Sequence, residues 1–514
     1  MDEREERVVK TRSTAGTQQN KTRRRPRRIA GEPEDTRMDS NRIPPSKRRK
    51  KSRRARRRRR NMLIRMLLVI ILIIVAVGGL IFWKRYGSSN EKANLEQYYG
   101  MTGTDDIAVI VNNQVIAKAD NGEYGAGGRL IDGQAYIEYS VLHDFVNKRF
   151  YWDANENLLL YTLPQGSVVA NIGSKEYTEV SEQKSEEYVI WQTVDNKAYV
   201  ALDFVKKYTN MEEHQDPNRV MIVNEFGKTT VAEMKRDTQV RFQGGVKSPI
   251  LTEVKKSEKV TVIEDEDGWK KVRTSDGFIG YVQTNSLKHI KEETISSSFE
   301  EPQYTGISKD YKINMAWHNV ENTTANGYIQ DMLASTKGLT TIAPTWFHIA
   351  DTQGNLNSIA DADYVNYAHQ SNLEVWAVLR DFHGGINSAD ETYEVLSHTS
   401  RRTNLIDQVI AAALQAGIDG INLDFELISA ECGEDYVQFV RELSVDNYVP
   451  MPYNTFYDLE EQSVFADYVV IMGYDEHVEG SYEAGSVASY GYVKDGIENA
   501  LKFVPKEKLI NAIP

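Results

Sequence analysis

The rhythm of apolar and polar residues changes several times along the chain. From Met66 to Trp83, MLLVIILIIVAVGGLIFW is eighteen apolar residues without a charge. That length predicts a membrane-crossing helix, because about twenty such residues span the hydrocarbon layer. Further on, DGQAYIEYSVLHDFV at Asp132 and DNKAYVALDFVKKYT at Asp195 echo one another. Each reads as turn, alternating strand and helix, and each leads through a turn into another strand, DANENLLLYT or QDPNRVMIVN. Residues 258–287 alternate again, with Asp-Gly pairs at Asp267 and Asp276 that predict the turns of a small antiparallel barrel.

From about residue 311 the pattern changes to near-continuous apolar runs. INMAWH (313–318), TTIAPTWFHIA (340–350), LEVWAVLRD (373–381), IDGINLDFE (418–426), DYVVIMGYD (467–475) and KLINAIP (508–514) read as buried strands, with a further one in LSVDNYVPMP near 443–452. DADYVNYAHQSN and LIDQVIAAALQAG carry helical periodicity between them. Apolar strands alternating with helices predict a parallel sheet, and seven of them point to a (β/α)8 TIM-type barrel truncated after its seventh strand. In IDGINLDFE, alternation puts Gly420, Asn422, Asp424 and Glu426 on one face, and Ile421, Leu423 and Phe425 on the other. Three polar residues in an inward row are costly unless they serve a site, since carboxylates are not buried without partners. Glu426 falls nearest the C-terminal rim, where barrels of this type place their chemistry.

Charge sharpens the N-terminal half. Residues 1–65 hold 25 Lys and Arg against 8 Asp and Glu, a surplus of 17, so the rest of the chain carries −29 within a net charge of −12. KRRKKSRRARRRRR, residues 47–60, directly precedes the apolar run. Lys/Arg-rich flanks stay cytoplasmic, so the expectation is a single-pass, type II protein of the cell membrane with its N-terminus inside. The basic tail is expected to be disordered and to meet anionic lipids, with no nucleic-acid partner. One cysteine, Cys432, excludes an internal disulfide framework. No His, Cys or carboxylate cluster suggests a metal, and no cofactor is expected.

Residues 105–228 resemble, in pattern only, the α+β domain named for the N-terminal part of copper amine oxidases, here without any copper ligands. Gly268-Trp269, Val272-Arg273, Asp276-Gly277 and Gly280-Tyr281-Val282 resemble the bacterial SH3-like domain, expected over 229–291, with Trp269 in its core. Asp419-Gly-Ile-Asn422-Leu-Asp424-Phe-Glu426 and Met472-Gly-Tyr474-Asp475 resemble the strand-four and strand-six motifs of glycoside hydrolase family 18, the chitinase-like family, in its bacterial spore-coat and cell-wall branch. The expected order is therefore tail 1–61, membrane helix 62–84, linker 85–104, α+β domain, SH3-like domain, linker 292–308 and barrel 309–514.

The family-18 resemblance implies an O-glycosyl hydrolase, of the chitinase or N-acetylglucosaminidase type. Its substrate would be β-1,4 N-acetylglucosamine linkages of peptidoglycan or a chitin-like polysaccharide, outside the membrane of a Gram-positive-type bacterium. It implies Glu426 as the acid, Asp424 as stabiliser and Tyr474 as holder of the acetamido oxygen. Asp419, Asn422, Met472 and Asp475 would be substrate-binding, as would Trp317 and Trp346, the candidates for sugar stacking. Asn422 departs from the family pattern, which has aspartate there, and the expected consequence is an altered pH dependence. The chain's end at Pro514, before an eighth strand, suggests an incomplete record. The other reading is a non-catalytic wall-binding protein with a degenerate barrel.

Overall fold

A computed structural model of the chain describes residues 49–116, 126–443, 446–449 and 457–514. It divides into two units, Met1–Arg85 and Tyr86–Pro514. The first contains a helix, Arg49–Tyr86, whose stretch Arg56–Tyr86 is long and apolar enough by composition to cross a membrane. At 1.5 Å per residue, those 31 residues reach about 46 Å. The disorder expected for residues 1–61 is corrected over 49–61, which continue the helix. Arg and Lys are good helix formers, and the apolar run supplies the nucleus that lets a helix propagate into them. The remainder of the expected tail, 1–48, lies outside the described residues.

In the second unit the two sequence echoes become neighbouring strands. Gln134–Glu138 and Lys197–Ala201 pair antiparallel, Ile137 opposite Val200, and each runs into a short helix. Each is entered by a two-residue hairpin turn whose residues all have positive φ: Asp132 51° and Gly133 83°, Asp195 53° and Asn196 64°. That is the primed geometry that matches strand twist, and Asp, Asn and Gly are the residues that tolerate it. A five-stranded antiparallel meander from Phe150 to Ser185, only partly foreseen, fills the space between the copies.

Seven antiparallel strands between Gly227 and Ile295 form the next sheet, around Ala232, Met234, Val240, Val260, Val272, Val282 and Leu287. Gly268 and Gly277 take φ of 75° and 86° at the two Asp-Gly turns. Trp269 is half-buried and lies outside that core, lining a surface groove with Arg236 and Gln283, contrary to its expected place.

The last sheet positions the site. Its strands are β1 (Met315–His318), β2 (Thr341–Pro344), β3 (Glu374–Arg380), β4 (Gly420–Asp424), β5 (Asp446–Val449), β6 (Val469–Met472) and β7 (Leu509–Ala512). They pair in parallel and in chain order. This is consistent with a barrel of the expected type. Among the described residues the ladder has seven strands, and no pairing joins β7 to β1. The run expected as one strand at 340–350 is broken: after β2 the chain forms a hairpin, Phe347–Ile349 with Leu356–Ser358. Helices follow β3, β4 and β6; Ile421, Leu423 and Phe425 pack with those after β3 and β4 in one apolar core, and the helix after β6 packs on Val469 and Ile471 in another.

Candidate active site

Register explains which side chains meet. Trp376, Val378 and Arg380 of β3 stand beside Gly420, Asn422 and Asp424 of β4, so the two inward rows run side by side. At the bottom, a Cβ on Gly420 would sit 3.0 Å from the Trp376 ring, so glycine leaves room for that indole. In the middle, Asn422 is 2% exposed and accepts a 2.9 Å hydrogen bond from the indole N–H of Trp317. The amide at 422 therefore has a partner of its own on β1. At the top, a cavity of about 660 Å³ brings together Asp424, Glu426, Met472, Tyr474, Trp317 and Arg380.

Two expected site residues lie elsewhere. Asp419 precedes β4 and accepts from the Val375 N–H and the His369 ring, at 2.7 and 2.8 Å. It borders a separate hollow with Thr340 and Glu374, beside the N-terminal ends of β2 and β3, and so pins the bottom of the sheet. Trp346 is fully enclosed, its indole donating to Asn326 at 2.8 Å and its ring edge-on to Tyr364. It is a core residue, because the chain turns into the hairpin at that point. Asp475 is exposed, with φ of 68°, and its charge reaches Glu426.

Electrostatics single out the carboxyl pair. Burial pushes Asp424 up to about 7, reinforced by the charge of Glu426 and opposed by Arg380. Glu426 is raised above the usual carboxylate range by burial and by Asp475, and held back by His383 and Arg380. Two carboxyls in one cleft do not ionise together easily, which keeps a proton in the pair near neutrality. Tyr474, pushed up to about 12 by burial and by Asp424, stays a phenol, 2.6 Å from the Met472 sulfur. The pair can therefore deliver a proton, and the phenol can donate a hydrogen bond.

Asp381, which the sequence pattern did not mark, holds the segment that carries Glu426 in place. It is fully buried and accepts the N–H groups of Glu426 and Leu427 at 2.8 and 2.9 Å, and the Thr392 hydroxyl at 3.2 Å. Burial lifts its carboxyl to about 6 despite those donors. Opposite, Tyr457 donates to the Phe425 carbonyl at 3.0 Å. The segment carrying Glu426 is thus fastened on both sides. Arg380, His348, Phe382, His383 and Glu321 also line the cavity unforeseen. The only signal for them was their place at or just beyond strand ends.

The seven-stranded parallel βα sheet thus carries two carboxyls and a tyrosine in one cleft above it. Residues 315–491 match the family described as Glycosyl hydrolases family 18, and residues 237–288 match the Bacterial SH3 domain, so the chain carries a domain of each. An "Uncharacterized glycosylase YvbX" of Bacillus subtilis (strain 168) is 27% identical over 184 residues, 32% of this chain and 53% of that protein. The "Cortical fragment-lytic enzyme" of Bacillus anthracis is 26% identical over 167 residues, 29% of this chain and 38% of that protein. Thus the chain spans about half or less of these curated relatives. Among solved structures, a chitinase from Chromobacterium violaceum ATCC 12472 is similar, with 23% identity, a TM-score of 0.35, and coverage of 39% of this chain and 68% of that one.

Proposed function

We propose that the chain is a membrane-anchored, extracytoplasmic glycosidase that cleaves β-1,4 N-acetylglucosamine linkages in peptidoglycan or a chitin-like glycan with retention. The observation that carries this reading is the meeting of Asp424, Glu426 and Tyr474 in one cavity, with both carboxyls raised. The substrate's acetamido oxygen attacks the anomeric carbon as Glu426 gives its proton to the departing glycosidic oxygen, leaving an oxazolinium ion. Glu426, now a carboxylate, takes a proton from water as that water opens the ion, which restores the acid. Asp424 accepts from the acetamido N–H and offsets the developing positive charge, and Tyr474 donates to the acetamido oxygen.

The apolar helix anchors the chain, with the Lys/Arg-rich flank inside and against anionic lipid, and everything after Tyr86 outside. The SH3 domain and the copper amine oxidase-like residues 105–228 carry the barrel within the wall. Replacing Glu426 by Gln should lower turnover of N-acetylglucosamine oligomers about 10²- to 10⁴-fold while oligomer binding persists. Equal turnover by the variant would sink the assignment, and retained binding with no turnover by the unaltered chain would favour a wall lectin.

A further inference from the structure

The proposed chemistry gives no task to Arg380. It ends β3, lies between His348 of the hairpin and Asp424 of β4 in register, and lines the same cavity. Its Nε is buried without a hydrogen-bond partner. Among the described residues its guanidinium forms no ion pair, although Asp424, Glu426 and Glu321 act on it through space, and it stands 5.2 Å from the Phe382 ring centroid. Burial lowers its affinity for the proton, the mark of a cation lacking full compensation. The carboxyls do not cancel it: burial outweighs all three, and Asp424, which acts most strongly of them, is itself held partly protonated around neutrality.

Such a planar donor, half-buried and open to a glycan cleft, is matched by a carboxylate, which it can grip through two parallel N–H bonds. Chitin-type oligomers carry none. Peptidoglycan's muramic residue carries one on its 3-O-lactyl group, but only where the stem peptide has been removed, since the amide that joins peptide to lactyl group is neutral. Resting on the reading of this cleft as a glycan site, we propose that Arg380 selects the free lactyl carboxylate of muramic acid. The favoured substrate is then peptide-free glycan, the product of a reaction that hydrolyses the lactyl amide.

The test reads binding, so it does not depend on turnover. The full chain carrying Glu426→Gln, in detergent micelles at neutral pH, is titrated calorimetrically with three probes: the N-acetylglucosamine–N-acetylmuramic acid tetrasaccharide, its lactyl methylamide, and chitotetraose. The free acid should bind at least tenfold more tightly than the methylamide. Adding Arg380→Gln should bring that ratio near one, and Arg380→Lys should keep part of it, with thermal melts verifying that each variant is folded. A ratio near one in the parent, a ratio that survives Arg380→Gln, equal weakening of all three probes, or binding of none overturns the inference. Failure of the unaltered chain to cleave any glycan, with the tenfold preference intact, would instead count against the proposed activity alone.

Discussion

A single carboxyl, Asp424, shows how this site trades stability for chemistry. Its folded pKa of about 7 stands above the roughly 4 of an unfolded aspartate, so the folded state binds its proton more tightly. The stability this contributes is fully present below about pH 4 and is lost as pH rises through about 7. Asp424→Asn should therefore melt like the parent in acid and exceed it above pH 7, by an amount on the order of 2–4 kcal/mol, while turnover falls steeply. Denaturant titrations at pH 4 and pH 8 measure the difference; an equal gain at both would remove burial of this charge as the cause. Alternation along IDGINLDFE made the inward row legible without any structure. The environment of Asn422 was not, because its partner, Trp317, comes from β1, 105 residues earlier. Trp346 misled for the opposite reason: aromatic residues near strand ends read alike until burial separates them.

Between elements, the strand end that leads to Glu426 depends on its neighbour. Arg380 and Asp381 are consecutive, and strand alternation sends them to opposite faces, one into the cavity and one to the backbone of Glu426 and Leu427. Asp381→Ala would leave those two N–H groups without their acceptor, which costs about 1–3 kcal/mol where such groups are shielded from water. The expected kinetic signature is slower turnover, by about tenfold or more, with KM little changed, because the acid is displaced while the sugar contacts remain. A matching rise in KM with turnover intact would place Asp381 in binding instead. The Gly384-Gly385 turn that follows is equally constrained: a Cβ on Gly385 would lie 1.6 Å from the Ala350 carbonyl oxygen, so only glycine passes the hairpin. None of this is visible in the one-dimensional pattern, which marks strands and faces but not which backbone groups a strand end must satisfy.

At the scale of the second unit, the repeat domain does more than hold the barrel at a distance. The barrel helix Thr399–Ala416 has no side-chain cap from its own N-cap residue, His398. Its first N–H groups are taken by the other domain: Asp153 accepts from Thr399 N–H and hydroxyl, both at 2.7 Å, and Glu156 accepts from Ser400 N–H at 3.0 Å. Two carboxylates also suit the positive end of that helix. Beside them, fully buried Arg402 joins Tyr151 of the repeat domain to Glu442 of the barrel at 3.2 and 2.8 Å, and Asn155 donates to the Ser397 carbonyl at 3.0 Å. A spacer would swing freely; a domain that caps a helix of its neighbour should unfold with it. The unaltered chain in detergent is accordingly expected to show one calorimetric transition for the repeat domain and barrel together. Asp153→Ala should lose about 2 kcal/mol, the upper end for a cap residue, and lower that transition by roughly 3 °C, the shift expected for a unit of this size, or split it in two. Two independent transitions in the parent, with Asp153→Ala moving only the one that belongs to its own domain, would show that the cap does not couple them.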